Sequence, residues 1–177
     1  YLKGKHHQAR VTPDALEEAR RSFESAIALD PGFGLAHVGI AAYWVVQMFF
    51  GSCRAHDAVP AARAAARRAL ELDPASPEAH ALLGYLAAVY DLDWTAAARH
   101  FEMPATRQVG LPGIVRPCWA SVLLLQERAD EAVRLAERAV EEDPLEVWPR
   151  MNLHAYLQAA VRDREAYEQV RKVLEID

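Results

Sequence analysis

The segment from Ala62 to Tyr85 predicts two helices joined by a tight turn. An Ala- and Arg-rich stretch runs to Leu72 and must stop at Asp73-Pro74, because proline has no N–H to continue a helix and biases the preceding residue towards extended backbone. Ser76-Pro77 then opens the next helix, since serine is a favoured N-cap and proline suits the first helical position. The chain is therefore built from helix–turn–helix units.

This unit recurs along the chain. Asp-Pro ends an Ala-rich helix at Asp30-Pro31, Asp73-Pro74 and Asp143-Pro144. From Asp143 to the final residue, Asp177, is 34 residues, whereas Pro31 and Pro74 are 43 apart and Pro74 and Pro144 are 70 apart. The last interval leaves room for one further repeat with a degraded ending. A fixed period of roughly 20 to 50 residues is typical of solenoids.

With two helices per repeat and a period near 34 residues, the chain resembles tetratricopeptide repeat (TPR) proteins. Their motif has fixed positions, or slots, that run Trp-x2-Leu-Gly-x2-Tyr, then Ala-x3-Phe, then Pro. The third repeat fits best, with His80 in the tryptophan slot followed by Leu83, Gly84 and Ala87, and His37 occupies the same slot in the second repeat. The resemblance implies an all-α, right-handed superhelix of about five antiparallel helix pairs. It implies a single array over residues 1–177, with repeats near 1–31, 34–74, 77–109, 113–144 and 147–177.

A narrower resemblance concerns the first residues. Tyr-Leu-Lys-Gly-Lys, followed by Thr-Pro-Asp-Ala-Leu-Glu-Glu-Ala, is similar to TPR modules attached to bacterial signalling and transcriptional regulators. Because the chain begins inside a repeat, we expect it to be a fragment of a longer protein.

Local signals place the helix ends. Thr12 and Asp93 are expected to be N-caps. The second repeat carries nine extra residues, which we interpret as a helical turn plus a loop that ends near Pro60. Pro104 falls inside an expected helix and should stop or kink it near Met103. The last four helices are expected over 114–126, 129–142, 146–161 and 164–176.

No motif indicates catalysis, a cofactor or a metal. His6 and His7 are neighbours and point to different sides of a helix. Cys53 and His56 have no second pair to complete a zinc site. Gly32-x-Gly34 follows a helix rather than a strand, so it is not a dinucleotide loop. We therefore predict a protein that is not an enzyme and that binds neither cofactor nor metal.

Arginine clusters recur on the second helices, at Arg20-Arg21, Arg63 with Arg67-Arg68, and Arg134 with Arg138. We interpret them as a solvated outer face interleaved with glutamate. The alternative is a helical-repeat RNA-binding array, which reads about one base per repeat. The net charge of −5 argues against that alternative and against nucleic acid as a partner.

Two features bear on location. Cys53 and Cys118 do not form a disulfide framework, which fits a reducing compartment and predicts a cytoplasmic protein. The longest apolar run, from Gly39 to Gly51, is too short to cross a bilayer, so no membrane segment is expected.

The TPR resemblance implies that first helices line the concave surface, where a protein or peptide partner would bind. The candidate side chains on that surface are Lys5, Leu35, Val38, Tyr85, Trp148 and Met151. The alternative for the apolar ones is packing against neighbouring helices. We thus predict a protein–protein interaction scaffold, with self-association as an alternative in which exposed terminal repeats form a homodimer.

Overall fold

The computed structural model describes residues 1–10, 12–102, 115–142, 144 and 147–175. Ten α-helices and no strand occur in these residues, which confirms the predicted all-α fold. The helices are α1 (Leu2–Ala9), α2 (Pro13–Leu29), α3 (Gly34–Phe49), α4 (Ala55–Leu72), α5 (Pro77–Leu86), α6 (Trp94–Phe101), α7 (Val115–Leu125), α8 (Ala129–Glu142), α9 (Val147–Ala159) and α10 (Asp163–Leu174).

The chain divides into two compact units, an N-terminal unit (Tyr1–Arg107) and a C-terminal unit (Gln108–Asp177). In the N-terminal unit each odd-numbered helix packs against the even-numbered helix that follows it, and α1 contacts α3 while α3 contacts α5. In the C-terminal unit α7 packs against α8, α9 against α10, and α7 contacts α9. Each unit thus stacks helix pairs as an α-solenoid does. A single array over residues 1–177 stays a prediction.

The two described Asp-Pro turns have one geometry. Asp30 and Asp73 are both extended, with φ/ψ of −141°/95° and −140°/94°. In each turn the aspartate carboxylate accepts a hydrogen bond from the backbone N–H two residues on, at 2.9 Å and 3.0 Å. The aspartate carbonyl accepts a second bond from the residue three on, at 3.1 Å in both turns. The Asp-Pro pairs at Asp30 and Asp73 therefore form one type of backbone turn.

The predicted N-caps are present. The Thr12 hydroxyl oxygen accepts from the Ala15 N–H at 3.3 Å, and the Asp93 carboxylate accepts from the Ala96 N–H at 2.9 Å. Ser76 caps α5 in the same way. Each side chain satisfies a backbone donor that has no partner within its helix.

Small residues allow the first helices to approach the second helices. A Cβ atom added at Gly4 or Gly39 would lie 2.6 Å and 2.7 Å from the ring of Phe23, which is fully buried. A Cβ added at Gly84 would lie 2.7 Å from the ring of Phe101. The aromatic ring of a second helix thus occupies the space that the missing side chains leave.

One predicted boundary differs from the structure, and one local feature was not predicted. The loop after α3 ends at Arg54 rather than near Pro60, and Pro60 lies inside α4. Pro60 is exposed in the second turn of that helix, where its missing N–H removes a single helical bond. The feature that was not predicted is a π-helical turn, Ala87–Asp91, that continues α5 and ends in Leu92 at a φ of 55°.

The predicted effect of Pro104 lies outside the described residues, as do the expected helix positions 114, 146 and 176. Helix α6, in which Pro104 was expected to fall, ends at Phe101.

Candidate partner-binding surface

The six predicted surface residues lie on four first helices. Lys5 is on α1, Leu35 and Val38 are on α3, and Tyr85 is on α5, all in the N-terminal unit. Trp148 and Met151 are on α9 in the C-terminal unit. Because α1, α3 and α5 contact one another in order, the first four residues lie on adjacent helices.

Exposure separates these candidates. Leu35 and Met151 are 39% and 40% exposed, so each presents apolar surface to water. Lys5 is exposed, and Tyr85 and Trp148 are half-buried and have contacts of their own. Val38 is only 7% exposed and belongs to the core, so the packing alternative holds for it. A neighbouring helix covers Val38, which a one-helix pattern does not reveal.

An aromatic cluster extends this surface at the start of the chain. The Tyr1 ring lies 5.0 Å from that of Phe33 and 6.0 Å from that of Phe23, centroid to centroid. Burial and then the negative charge of Glu78 raise the pKa of the Tyr1 phenol. Aromatic side chains from the starts of α1 and α3 and from α2 therefore meet here.

An open cleft of about 590 Å³ lies beside this cluster, between α1 and α2. Lys3 and His7 line it from α1, and Glu18, Arg21 and Leu29 line it from α2. The His7 Nδ1 atom lies 3.0 Å from a carboxylate oxygen of Glu18. The cleft has apolar and charged walls but no convergent set of polar groups.

A polar network joins α2 to α3. The Tyr43 hydroxyl donates to the Glu17 carboxylate and accepts from the Gln47 amide at 2.9 Å. Arg20 donates two bonds to the same carboxylate, at 3.1 Å and 3.0 Å. The Tyr43 bond and the Arg20 contacts lower the pKa of Glu17, so its carboxylate remains charged at neutral pH. This network orients α3 and thereby Leu35.

A donor follows each described turn proline at a distance of six residues. The His37 and His80 imidazoles lie 3.3 Å and 3.0 Å from the carbonyl oxygens of Pro31 and Pro74, through Nε2 in both cases. Arg150 donates to the Pro144 carbonyl at 2.8 Å and 3.1 Å. The sequence analysis noted that the two histidines share a slot but missed this role. The spacing from proline to donor was the available signal.

Arg116 occupies the corresponding slot of the fourth repeat. Its side chain is 8% exposed and donates two hydrogen bonds of 2.6 Å to the Glu142 carboxylate, at the end of α8. This bidentate pair joins α7 to α8.

The described residues offer contact surfaces rather than an activated nucleophile. Cys118 is buried, which raises the pKa of its thiol to about 12. Burial and the charge of Asp57 raise the pKa of the Cys53 thiol, and both cysteines are free. No group of three His, Cys, Asp or Glu side chains that could hold a metal occurs in the described part of the chain.

Many second-helix arginines are in ion pairs. Arg20 pairs with Glu17 and Glu24, Arg63 with Asp91 at 2.5 Å, and Arg68 with Glu71 at 2.8 Å. These carboxylates neutralise charges that a phosphate backbone would otherwise bind.

Comparison with known proteins defines the fold. No protein-family profile matches the chain. No curated protein matches it either. Among solved structures, PilW, a widely conserved type IV pilus biogenesis factor, is similar with a TM-score of 0.59 and 17% identity over 99% of this chain and 76% of that one. YrrB, a TPR protein with an unusual peptide-binding site, has a TM-score of 0.46 and 20% identity over 93% of this chain and 79% of its own.

The chain has a TPR-like fold. The human IFIT1 dimer with PPP-AAAA contains a further similar chain, with a TM-score of 0.64 and 19% identity. That similarity covers 92% of this chain but 36% of the IFIT1 chain. At these identities the TPR-like similarity concerns the fold alone.

None of the helices in the described residues combines the length and the apolar character needed to cross a bilayer.

Proposed function

We propose that this TPR-like chain is a protein-interaction scaffold that binds a segment of a partner protein through its first helices and catalyses no reaction. The fold supports this proposal because stacked helix pairs generate extended surfaces suited to binding.

The exposure of Leu35 and Met151 is the observation that carries the proposal. Both occupy first helices, and each leaves about two-fifths of its surface in water. Exposed apolar surface has a free-energy cost that a partner removes, at about 25 cal/mol per Å². Methionine adds adaptability, because its unbranched side chain fits differently shaped partners. Tyr85 and Trp148 supply rigid aromatic area beside them, of the kind enriched at interaction hot spots.

The proposal is tested by photocrosslinking in the source cell. A photoreactive amino acid is placed at Leu35 and Met151 and, as controls, at Tyr167 and Leu174, which are 66% and 75% exposed on the second helix α10. We expect discrete adducts from the first pair only. Equal adducts from both pairs, or none from the first, would exclude a first-helix binding surface.

Alanine variants then locate the binding energy. Tyr85→Ala and Trp148→Ala should each weaken capture of the crosslinked partner by roughly tenfold or more, as expected for hot-spot aromatics. Tyr167→Ala should leave capture unchanged. If neither first-helix variant weakens capture, the assignment of Tyr85 and Trp148 is wrong.

We further propose that the scaffold acts in the cytoplasm as part of a bacterial signalling or transcriptional regulator. The resemblance of the first repeat to regulator-attached modules and the two free cysteines support this placement. Fractionation of the source cell, probed with an antibody against the chain, tests the compartment. Recovery in an exported fraction would contradict it.

A further inference from the structure

In the third repeat the side chain six residues after the turn proline is His80, and a second histidine is its partner. The Nδ1 atom of His80 lies 2.9 Å from the Nδ1 atom of His100, on α6. The His80 Nε2 atom faces the carbonyl of Pro74, and the residue is only 9% exposed. By contrast, His37 makes the same proline contact without a second histidine in the described residues.

These contacts fix where the protons sit. A carbonyl oxygen only accepts, so Nε2 of His80 must carry a hydrogen. In the neutral form Nδ1 of His80 is then an acceptor, and Nδ1 of His100 must be the donor. The pair is therefore one Nε2–H tautomer bonded to one Nδ1–H tautomer.

The pair can hold one extra proton without losing its bond. If His100 takes the proton at Nε2, its Nδ1–H still donates to His80. If His80 takes it at Nδ1, that N–H donates to a His100 ring that carries its own hydrogen on Nε2. A second proton places an N–H on both Nδ1 atoms, so that two donors and two positive charges face each other at 2.9 Å.

We propose that the His80–His100 pair is a proton-sensitive latch that holds α6 against α5 and releases it when both imidazoles are protonated. This inference is independent of the proposed function.

The backbone that leads into α6 is irregular, and α6 packs closely on α5. A Cβ atom added at Gly84 would lie 3.1 Å from the Cβ of His100. Helix α6 has eight residues, and the π-helical turn that precedes it ends in Leu92 in left-handed backbone. A short helix beside an irregular turn is a segment of low local stability.

Among the described residues, no hydrogen bond or ion pair joins a carboxylate to either ring of the latch. Asp73, in the turn before α5, accepts from a backbone N–H, and Glu78 on α5 is within reach of the Ser76 hydroxyl at 3.4 Å. On α6 itself, His100 lies between the cationic Arg99 and Phe101. Burial, and then the positive charge of His80, lower the pKa of His100.

The direction of the pH dependence follows from linked proton binding. In the closed state α6 packs on α5, and in the open state the two helices have separated. A histidine with a lowered pKa in the closed state binds fewer protons there than in the open state, so the closed state loses stability as pH falls below the ordinary value of about 6.5. The loss is complete once pH lies below the lowered pKa. Above about pH 6.5 the latch contributes its full stability.

Hydrogen exchange on the full chain tests the latch. Protection factors, which correct for intrinsic exchange rates, are measured for α6 and α3 amides at about pH 7.5 and about pH 5, on either side of the ordinary histidine pKa. We expect a several-fold fall for α6 and no comparable fall for α3. Equal falls in both helices, or no fall in α6, would overturn the proposal.

His100→Asn provides the decisive variant. The asparagine amide can donate to His80 when it is neutral and accept from it when it is charged, so the pH dependence of α6 protection should disappear. His37→Asn is the matched control and should leave that dependence unchanged. An α6 protection factor that stays pH-dependent in His100→Asn contradicts the latch.

A measurement on the unaltered chain covers the case in which His100→Asn does not fold. Nitrogen chemical shifts of the imidazoles at about pH 7.5 should show an Nε2–H tautomer for His80 and an Nδ1–H tautomer for His100. An Nε2–H tautomer at His100 in neutral solution would rule out the proposed bond.

Discussion

Substitution of Gly39 by alanine tests whether the small residues of first helices set the helix spacing. A Cβ atom at this position lies 2.7 Å from three carbons of the Phe23 ring, about 1 Å short of an ordinary carbon–carbon contact. Gly4 on α1 also approaches this ring, because a Cβ atom added there would lie 2.6 Å from it, so the ring has little room to move. The added methyl group must therefore displace α3.

The expected change in the free energy of unfolding for Gly39→Ala is the difference of two terms. Overpacking of a rigid core site costs about 1–3 kcal/mol. Replacing glycine by alanine inside a helix stabilises it by about 1 kcal/mol. Gly39→Ala should therefore destabilise the chain by up to about 2 kcal/mol. In a Phe23→Leu background the flat ring is gone, and the same change should be neutral or stabilising.

The assay is urea unfolding of the full chain followed by circular dichroism, with the four variants of a double-mutant cycle. The expected coupling between positions 39 and 23 is about 1–3 kcal/mol, which is the overpacking term. Gly34→Ala is the control, because its nearest contact would be an ordinary 3.6 Å to Leu72. A coupling near zero would refute the claim that Phe23 occupies the space left by Gly39.

Three further predictions concern buried polar groups. Glu142→Gln should destabilise the chain more than Arg116→Met in the same urea assay, because it leaves a guanidinium that is 8% exposed without its charged partner. A thiol reagent at about pH 8 should modify only Cys53 in the native chain and both cysteines in denaturant. The reason is that burial raises the pKa of the Cys118 thiol to about 12. Two reactive thiols in the native chain would contradict the burial of Cys118. Glu17 has a lowered pKa in the folded chain, so its contribution to stability is full above about pH 4.5 and is lost as pH falls through the folded value. Tyr43→Phe should shrink that acid-dependent loss, and an unchanged pH profile would show that the hydroxyl does not stabilise the carboxylate.

The sequence predicted the helix pairs because their ends are coded locally. Thr12, Ser76 and Asp93 cap helices in the structure, and Asp30 and Asp73 form the same turn to within a degree in φ and ψ. Each of these signals acts over three or four residues. No distant part of the chain has to be known to interpret them.

Properties that depend on neighbouring helices could not be predicted from such short sequence signals. Val38 and Leu35 are both apolar and lie one turn apart on α3, yet the first is 7% and the second 39% exposed. Pro60 suggests a helix boundary by its chemistry, but it is tolerated on the exposed side of α4. The π-helical turn after Leu86 has no comparable sequence signal.

The slot six residues after the turn proline shows what the repeat keeps constant. Three such slots hold two histidines and an arginine, and all three side chains reach the proline carbonyl. In the fourth repeat no proline stands six residues before Arg116, and this donor reaches a carboxylate instead. A carbonyl at a helix junction needs a donor, and an indole, an imidazole or a guanidinium can supply one. In the three repeats with a described turn proline, the contact with the proline carbonyl is therefore kept while the residue type at the slot changes.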